Sequence, residues 1–223
     1  MNKYEIVSKI EDFAPLEFQE SWDASGWIVD KDDENVEKVL FALTITPKII
    51  KQALHKNCDM IISHHPLFFV PFEYRKINMY CAHTNLDKAF GGTTDTLLEN
   101  IHLTGKAIND FVRMVEFEDN ISVEYLKLKL LPISPKLRVV NNNGVKTIRK
   151  VAFCAGSGSE FIKETPCDAY VTGDIKFHTA IESDKVLFDI GHFESEIFAP
   201  KLLQKITELD IKGVLADETS PFM

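Results

Sequence analysis

EKVLFALTIT (37–46) returns 112 residues later as RKVAFCAGSG (149–158), and the two stretches read together decide the fold. VLFALTIT is an unbroken apolar run with β-branched ends, the pattern of a central strand buried on both faces of a sheet. Two more pairs follow in order: Cys58-Asp59-Met60-Ile61-Ile62-Ser63 with Cys167-Asp168-Ala169-Tyr170-Val171-Thr172, then His83-Thr84-Asn85-Leu86-Asp87 with His192-Phe193-Glu194-Ser195-Glu196, both at an offset of 109. One such match between short strands arises by chance. Three in order, two at one offset, point to a duplicated chain. The offset falls by three in the connection after the first strand. In the first half that connection opens with Thr46 as N-cap and Pro47 in the first turn of a helix. The expected fold class is α/β, with two similar (duplicated) α/β lobes of mixed sheets flanked by helices. We expect lobes at 1–110 and 111–223, with terminal elements open to exchange between them, and a site in the cleft where equivalent strand ends face each other.

The rest of the chain supports alternation of strand and helix. MNKYEIVSKIEDFAP is an amphipathic helix rather than the apolar core of a leader, and Trp22 and Trp27 read as packing anchors in a turn-rich approach. CDMIIS, MYCAH, LRVV, VAFCAG, AYVTG, VLFDIG and GVLAD read as strands, with FFVPFEYRKIN a loop. SVEYLKLKLL, KFHTAIES and HFESEIFAPKLLQKI read as helices, the last kinked or restarted at Pro200. Gly156 to Ser159 form either a tight turn into a helix at Glu160 or an anion-binding loop.

With 45% apolar and 26% charged residues, the composition is that of a globular protein, and no uncharged run approaches a membrane span. A net charge of -9 without a dense Lys/Arg run argues against a nucleic-acid surface. Cys58, Cys81, Cys154 and Cys167 show no CxxC spacing and read as buried thiols of a cytoplasmic protein.

The chemistry gathers at predicted strand ends. In IISHHPLFF (61–69), His64 and His65 close a buried strand at the place where open α/β sheets bind ligands. Neighbouring side chains leave an extended chain on opposite faces, so both can serve one site only if the chain turns, as Pro66 requires. His192 and Glu196 stand at i and i+4 on a predicted helix and so share a face. Asp87 follows the strand MYCAH. Alone, HHP could be a surface turn and HFESE a solvated helix face. Together, three imidazoles and two carboxylates suit borderline divalent ions such as zinc, iron, manganese, nickel or cobalt, and are enough for two of them. His83 and His178 are candidates for proton transfer or for supporting the ligands.

SWDASGWIV, VLFALTIT, DMIISHHPLFF, AHTNLDKAFGG, DAYVTGDIKFH and GHFESE resemble the Nif-three-like (YbgI-type) proteins, catalogued as GTP cyclohydrolase I type 2 homologues. The resemblance runs from about residue 20 to 205. It implies a dinuclear metal site between two lobes, with His64, His65, Asp87, His192 and Glu196 as ligands, and a homo-oligomer, a ring-shaped hexamer. It also implies a metal-dependent hydrolase acting on a nucleotide or related small molecule; a non-catalytic metal-binding scaffold is the alternative. Thr44 stands where that family often has an aspartate, and the segment from His178 to Val186 is short. Both departures would reshape the pocket beside the metals.

Overall fold

Helix α1 (Lys3–Phe13) starts at Asn2, whose side chain accepts the Tyr4 amide, and buries Ile6, Val7 and Ile10. This computed structural model describes residues 1–209 and 212–222; of the expected second lobe, 210, 211 and 223 lie outside the described residues. After a 3₁₀ turn come β1 (Gly26–Val29) and β2 (Val39–Thr44), whose residues are all buried except the half-buried Thr44. The predicted cap forms: the Thr46 side chain accepts the Ile49 amide, and Pro47 opens α2 (Pro47–His55). Strand β3 (Met60–His65) follows, and runs through both histidines instead of stopping before them. The loop after it contains a 3₁₀ turn at Phe72–Lys76, and then come β4 (Asn78–Cys81) and the short α3 (Thr84–Lys88).

The next elements are α4 (Thr93–Asn100), β5 (Lys106–Ala107), β6 (Arg113–Ser122), α5 (Val123–Leu130) and β7 (Arg138–Val140). They are followed by β8 (Thr147–Phe153), β9 (Ala169–Thr172), α6 (Phe177–Glu182), β10 (Val186–Asp189) and α7 (His192–Glu196). Between β8 and β9 the expected helix at Glu160 is only a 3₁₀ turn, Ser159–Phe161. The last predicted helix divides in two. The Ile197 amide caps α7 on Phe193 O, and α8 (Ala199–Thr207) begins afresh with Pro200 in its first turn, where a missing N–H costs nothing. Strand β11 (Gly213–Leu215) ends the regular structure.

The chain divides into two units, Met1–Gly92 with Phe198–Met223, and Thr93–Ile197. In the first, the strand order is β1-β4-β3-β2-β11, and β2, β3, β4 and β11 run parallel with β1 antiparallel at the edge. Its core includes Leu40, Ala42, Ile49, Ala53, Ile61 and Met79. In the second, the order is β5-β6-β8-β9-β10-β7, with β8, β9 and β10 parallel and antiparallel strands on both sides. Its core includes Val112, Ala152, Tyr170 and Leu187. Each fully buried Val, Leu, Ile, Phe or Met side chain contributes about 1.5–3 kcal/mol of transfer free energy.

The same registers recur in both sheets. Val39 pairs with Met60 and Phe41 with Ile62; Val151 pairs with Ala169 and Phe153 with Val171. Asp59 accepts the Glu37 and Lys38 amides at 2.8 and 3.0 Å, and Asp168 accepts those of Arg149 and Lys150 at 2.8 Å each. One slip separates them. Ser63 pairs with Cys81 but Thr172 with Asp189, an offset of 108, and Gly191 at φ +82° takes up the extra residue before His192. Among the described residues no helix is long and apolar enough to cross a membrane.

Candidate metal centre

Three histidines come together at the tip of the first sheet. The rings of His64 and His65 lie 5.0 Å apart, and that of His83 is 5.2 and 5.6 Å from them. One nitrogen from each lies within 4.8 Å of the others, close enough to hold a metal ion. The adjacent pair thus converges without leaving β3, because the strand ends there and both rings can lean around its tip.

Each ring is held from behind. His64 is fully buried, and its Nδ1 sits 2.9 Å from Ala82 O. A carbonyl oxygen can only accept, so Nδ1 carries a proton, and in the neutral imidazole Nε2 carries the lone pair. That Nε2 lies 3.5 Å from Asp87 Oδ1, on the short helix α3. In that neutral form two electron-pair donors stand 3.5 Å apart, an arrangement that a divalent cation stabilises. His65 Nδ1 lies 2.6 Å from Thr44 Oγ1, so the departure at position 44 falls directly on a candidate ligand. His83 Nδ1 lies 2.8 Å from Asp23 Oδ1.

Asp23 was not among the residues singled out in the sequence. Its side chain is fully buried, and it also accepts from the Ala24 and Thr84 amides and the Ser25 and Thr84 hydroxyls. Burial pushes its carboxyl up, but the hydrogen bonds from His83, Thr84 and Ser25 outweigh this and hold it well below the usual carboxylate range. In SWDASGW it looks like an ordinary turn acid; only the fold brings it to a histidine 60 residues away. Of the two tryptophans expected as packing anchors, only Trp27 serves as one. Trp27 packs edge-on against Tyr80 and Tyr4, whereas Trp22 is 62% exposed and stands edge-on to His83.

The second unit offers its own donors. His192 Nε2 lies 2.9 Å from Glu196 Oε2, the predicted i,i+4 pair, and its Nδ1 lies 2.7 Å from Asp174 Oδ2. Burial pushes the His192 imidazolium down, but the two carboxylates dominate and raise its pKa to about 9. Glu196 is only 4% exposed. Its carboxylate fills the space where a side chain at Gly156 would sit, and Gly156 also has φ +67°. Two of the loop amides are engaged: Gly156 N donates to Ser195 Oγ at 2.9 Å and Gly158 N to Thr172 Oγ1 at 2.8 Å. The tight-turn reading therefore describes this loop. His178 is exposed on α6 with its ring against Phe177 at 5.6 Å, and it belongs to none of the metal-capable groups among the described residues.

The sequence profile of Duf34/NIF3 (NGG1p interacting factor 3) matches residues 1–217. A "GTP cyclohydrolase 1 type 2 homolog" of Campylobacter jejuni is 30% identical over 245 aligned positions, covering 100% of this chain and 99% of that one. A protein of the same description from Clostridium perfringens is 30% identical, covering 100% and 99%. Among solved structures, a Bacillus cereus protein related to NIF3 superposes with a TM-score of 0.84 at 19% identity, covering 100% and 99%. With a profile match over nearly its whole length and relatives matched end to end, the chain belongs to the Duf34/NIF3 family.

Proposed function

We propose that this protein binds two divalent metal ions through His64, His65 and Asp87 together with His192 and Glu196, and that it is a metal-dependent hydrolase of a nucleotide or related small molecule. The observation that carries the metal reading is the buried His64, whose Nδ1 lies 2.9 Å from Ala82 O while its Nε2 lies 3.5 Å from Asp87 Oδ1. The name borne by the Campylobacter and Clostridium relatives puts GTP first among substrates to try, followed by other nucleotides, phosphoesters and amides. Zinc, iron, manganese, nickel and cobalt all suit this nitrogen and oxygen donor set. Bound ions of this kind lower the pKa of bound water and polarise the substrate.

The chain's own residues would do the rest. Asp23 holds the Nδ1 proton of His83, leaving Nε2 beside His64 and His65 as the acceptor for a substrate or water proton. His178, exposed on α6, is the second candidate for proton transfer. We place the protein in the cytoplasm and expect a homo-oligomer, a ring of six. Light scattering should then give six times the 25.4 kDa chain mass.

Elemental analysis of protein purified without added metal, followed by a turnover screen with each metal, tests the reading. His65→Ala and Glu196→Ala should abolish metal-dependent turnover. Metal-loaded protein that turns over nothing across nucleotides, phosphoesters and amides would sink the hydrolase reading and leave a metal-binding scaffold. Protein that takes up no metal would sink both.

A further inference from the structure

The last described residues of the chain return to the tip of β2. Strand β11 ends at the pair Leu215–Phe41, and Ala216 N then donates to Phe41 O at 2.8 Å. Asp217 is held at both backbone groups by one side chain: its amide donates to Gln52 Oε1 at 2.9 Å, and its carbonyl accepts from Gln52 Nε2 at 2.8 Å. Beyond this clamp, Glu218 accepts the Leu43 amide at 2.6 Å and the Thr44 amide at 3.1 Å. β11 has ended before these amides, so they need an acceptor from outside the ladder, and the carboxylate supplies it. Thr44 is also the register partner of His65, and its hydroxyl lies 2.6 Å from His65 Nδ1. A neutral imidazole that ligates through Nε2 carries its proton on Nδ1, so His65 donates to Thr44 Oγ1.

We propose that Glu218 is a positioning residue for the metal centre: the tail it anchors fixes Thr44, and the Thr44 hydroxyl fixes the ring and tautomer of His65. This rests on His65 being a metal ligand. The contacts run in one line, from a tail residue to two backbone amides, to a hydroxyl, to the imidazole. A segment that only closes the sheet edge would have no need of a carboxylate on the amide of the residue that touches His65. Partners of this kind behind a ligating histidine change metal affinity by about 10- to 100-fold when removed.

The test uses the full chain with Co²⁺ as probe, reading affinity and the visible ligand-field spectrum, with thermal unfolding of metal-free protein as the control for folding. Glu218→Ala and Thr44→Val should each weaken Co²⁺ binding about 10-fold or more and alter the spectrum, and Thr44→Ser should restore both. The double variant should be no worse than the poorer single one, because both act along one path. If Glu218→Ala and Thr44→Val lower only the unfolding temperature and leave affinity and spectrum unchanged, the proposal is wrong. His65→Ala separates the two layers. Unchanged Co²⁺ binding in His65→Ala overturns the ligand assignment and this inference with it; lost binding there, with wild-type binding in the other two, overturns the positioning role alone. Should Glu218→Ala not fold, Thr44→Val decides.

Discussion

His192 stands between Asp174 and Glu196, and its raised pKa follows from that position. In metal-free protein its ring should titrate near 9 by NMR, and Glu196→Gln should bring that value down. The folded-state pKa lies above the ordinary 6.5, so the stability from this proton is full below about 6.5 and is lost as pH rises through about 9. Denaturation midpoints measured from pH 6 to 10 should therefore fall across that window in wild type and lose this component in His192→Asn. Gly156 is decided at the same scale. A methyl there would collide with the Glu196 carboxylate in a left-handed backbone, so Gly156→Ala should cost about 1–3 kcal/mol in urea unfolding and reduce bound metal. His83→Asn should lower kcat by about 10²- to 10⁴-fold while metal content stays at the wild-type level, if Asp23 and His83 serve proton transfer.

At the scale of elements, the repeated Asp59 and Asp168 contacts make a paired prediction. Each carboxylate fastens the strand that precedes it by two amides, so Asp59→Ala and Asp168→Ala should each cost roughly 1–2 kcal/mol. The sites share no residues, and the double variant should show the sum in urea denaturation. A cost confined to one of the two would mean that the recurring register does not carry equal weight in both sheets. Helices and strands were legible where the local pattern was strong: the Thr46-Pro47 start of α2, the apolar run of β2, and the SVEYLKLKLL helix that forms as α5. The division of HFESEIFAPKLLQKI was less so. Pro200 signalled an interruption, but either a kink or a new first turn satisfies proline, and packing chose the second.

At the scale of the whole molecule, metal bound as proposed would be linked to folding. A ligand that binds only the folded chain stabilises it by about 2.7 kcal/mol at 100 times its Kd. Calorimetry with and without chelator should show the unfolding temperature rising with free metal. A temperature indifferent to metal would contradict the proposed ligation by the buried His64. By itself the sequence determined the α/β class, with mixed sheets flanked by helices, and the histidines at the strand ends. These follow from apolar runs, caps and an internal repeat, signals written within ten or twenty residues of one another. The tertiary structure alone decided that β11 joins β2, that Asp23 stands behind His83, and that Glu218 reaches the amides beside Thr44. Those contacts join residues 60 to 175 positions apart. No local periodicity encodes them, and they exist only once the chain has folded and its backbone groups must find partners.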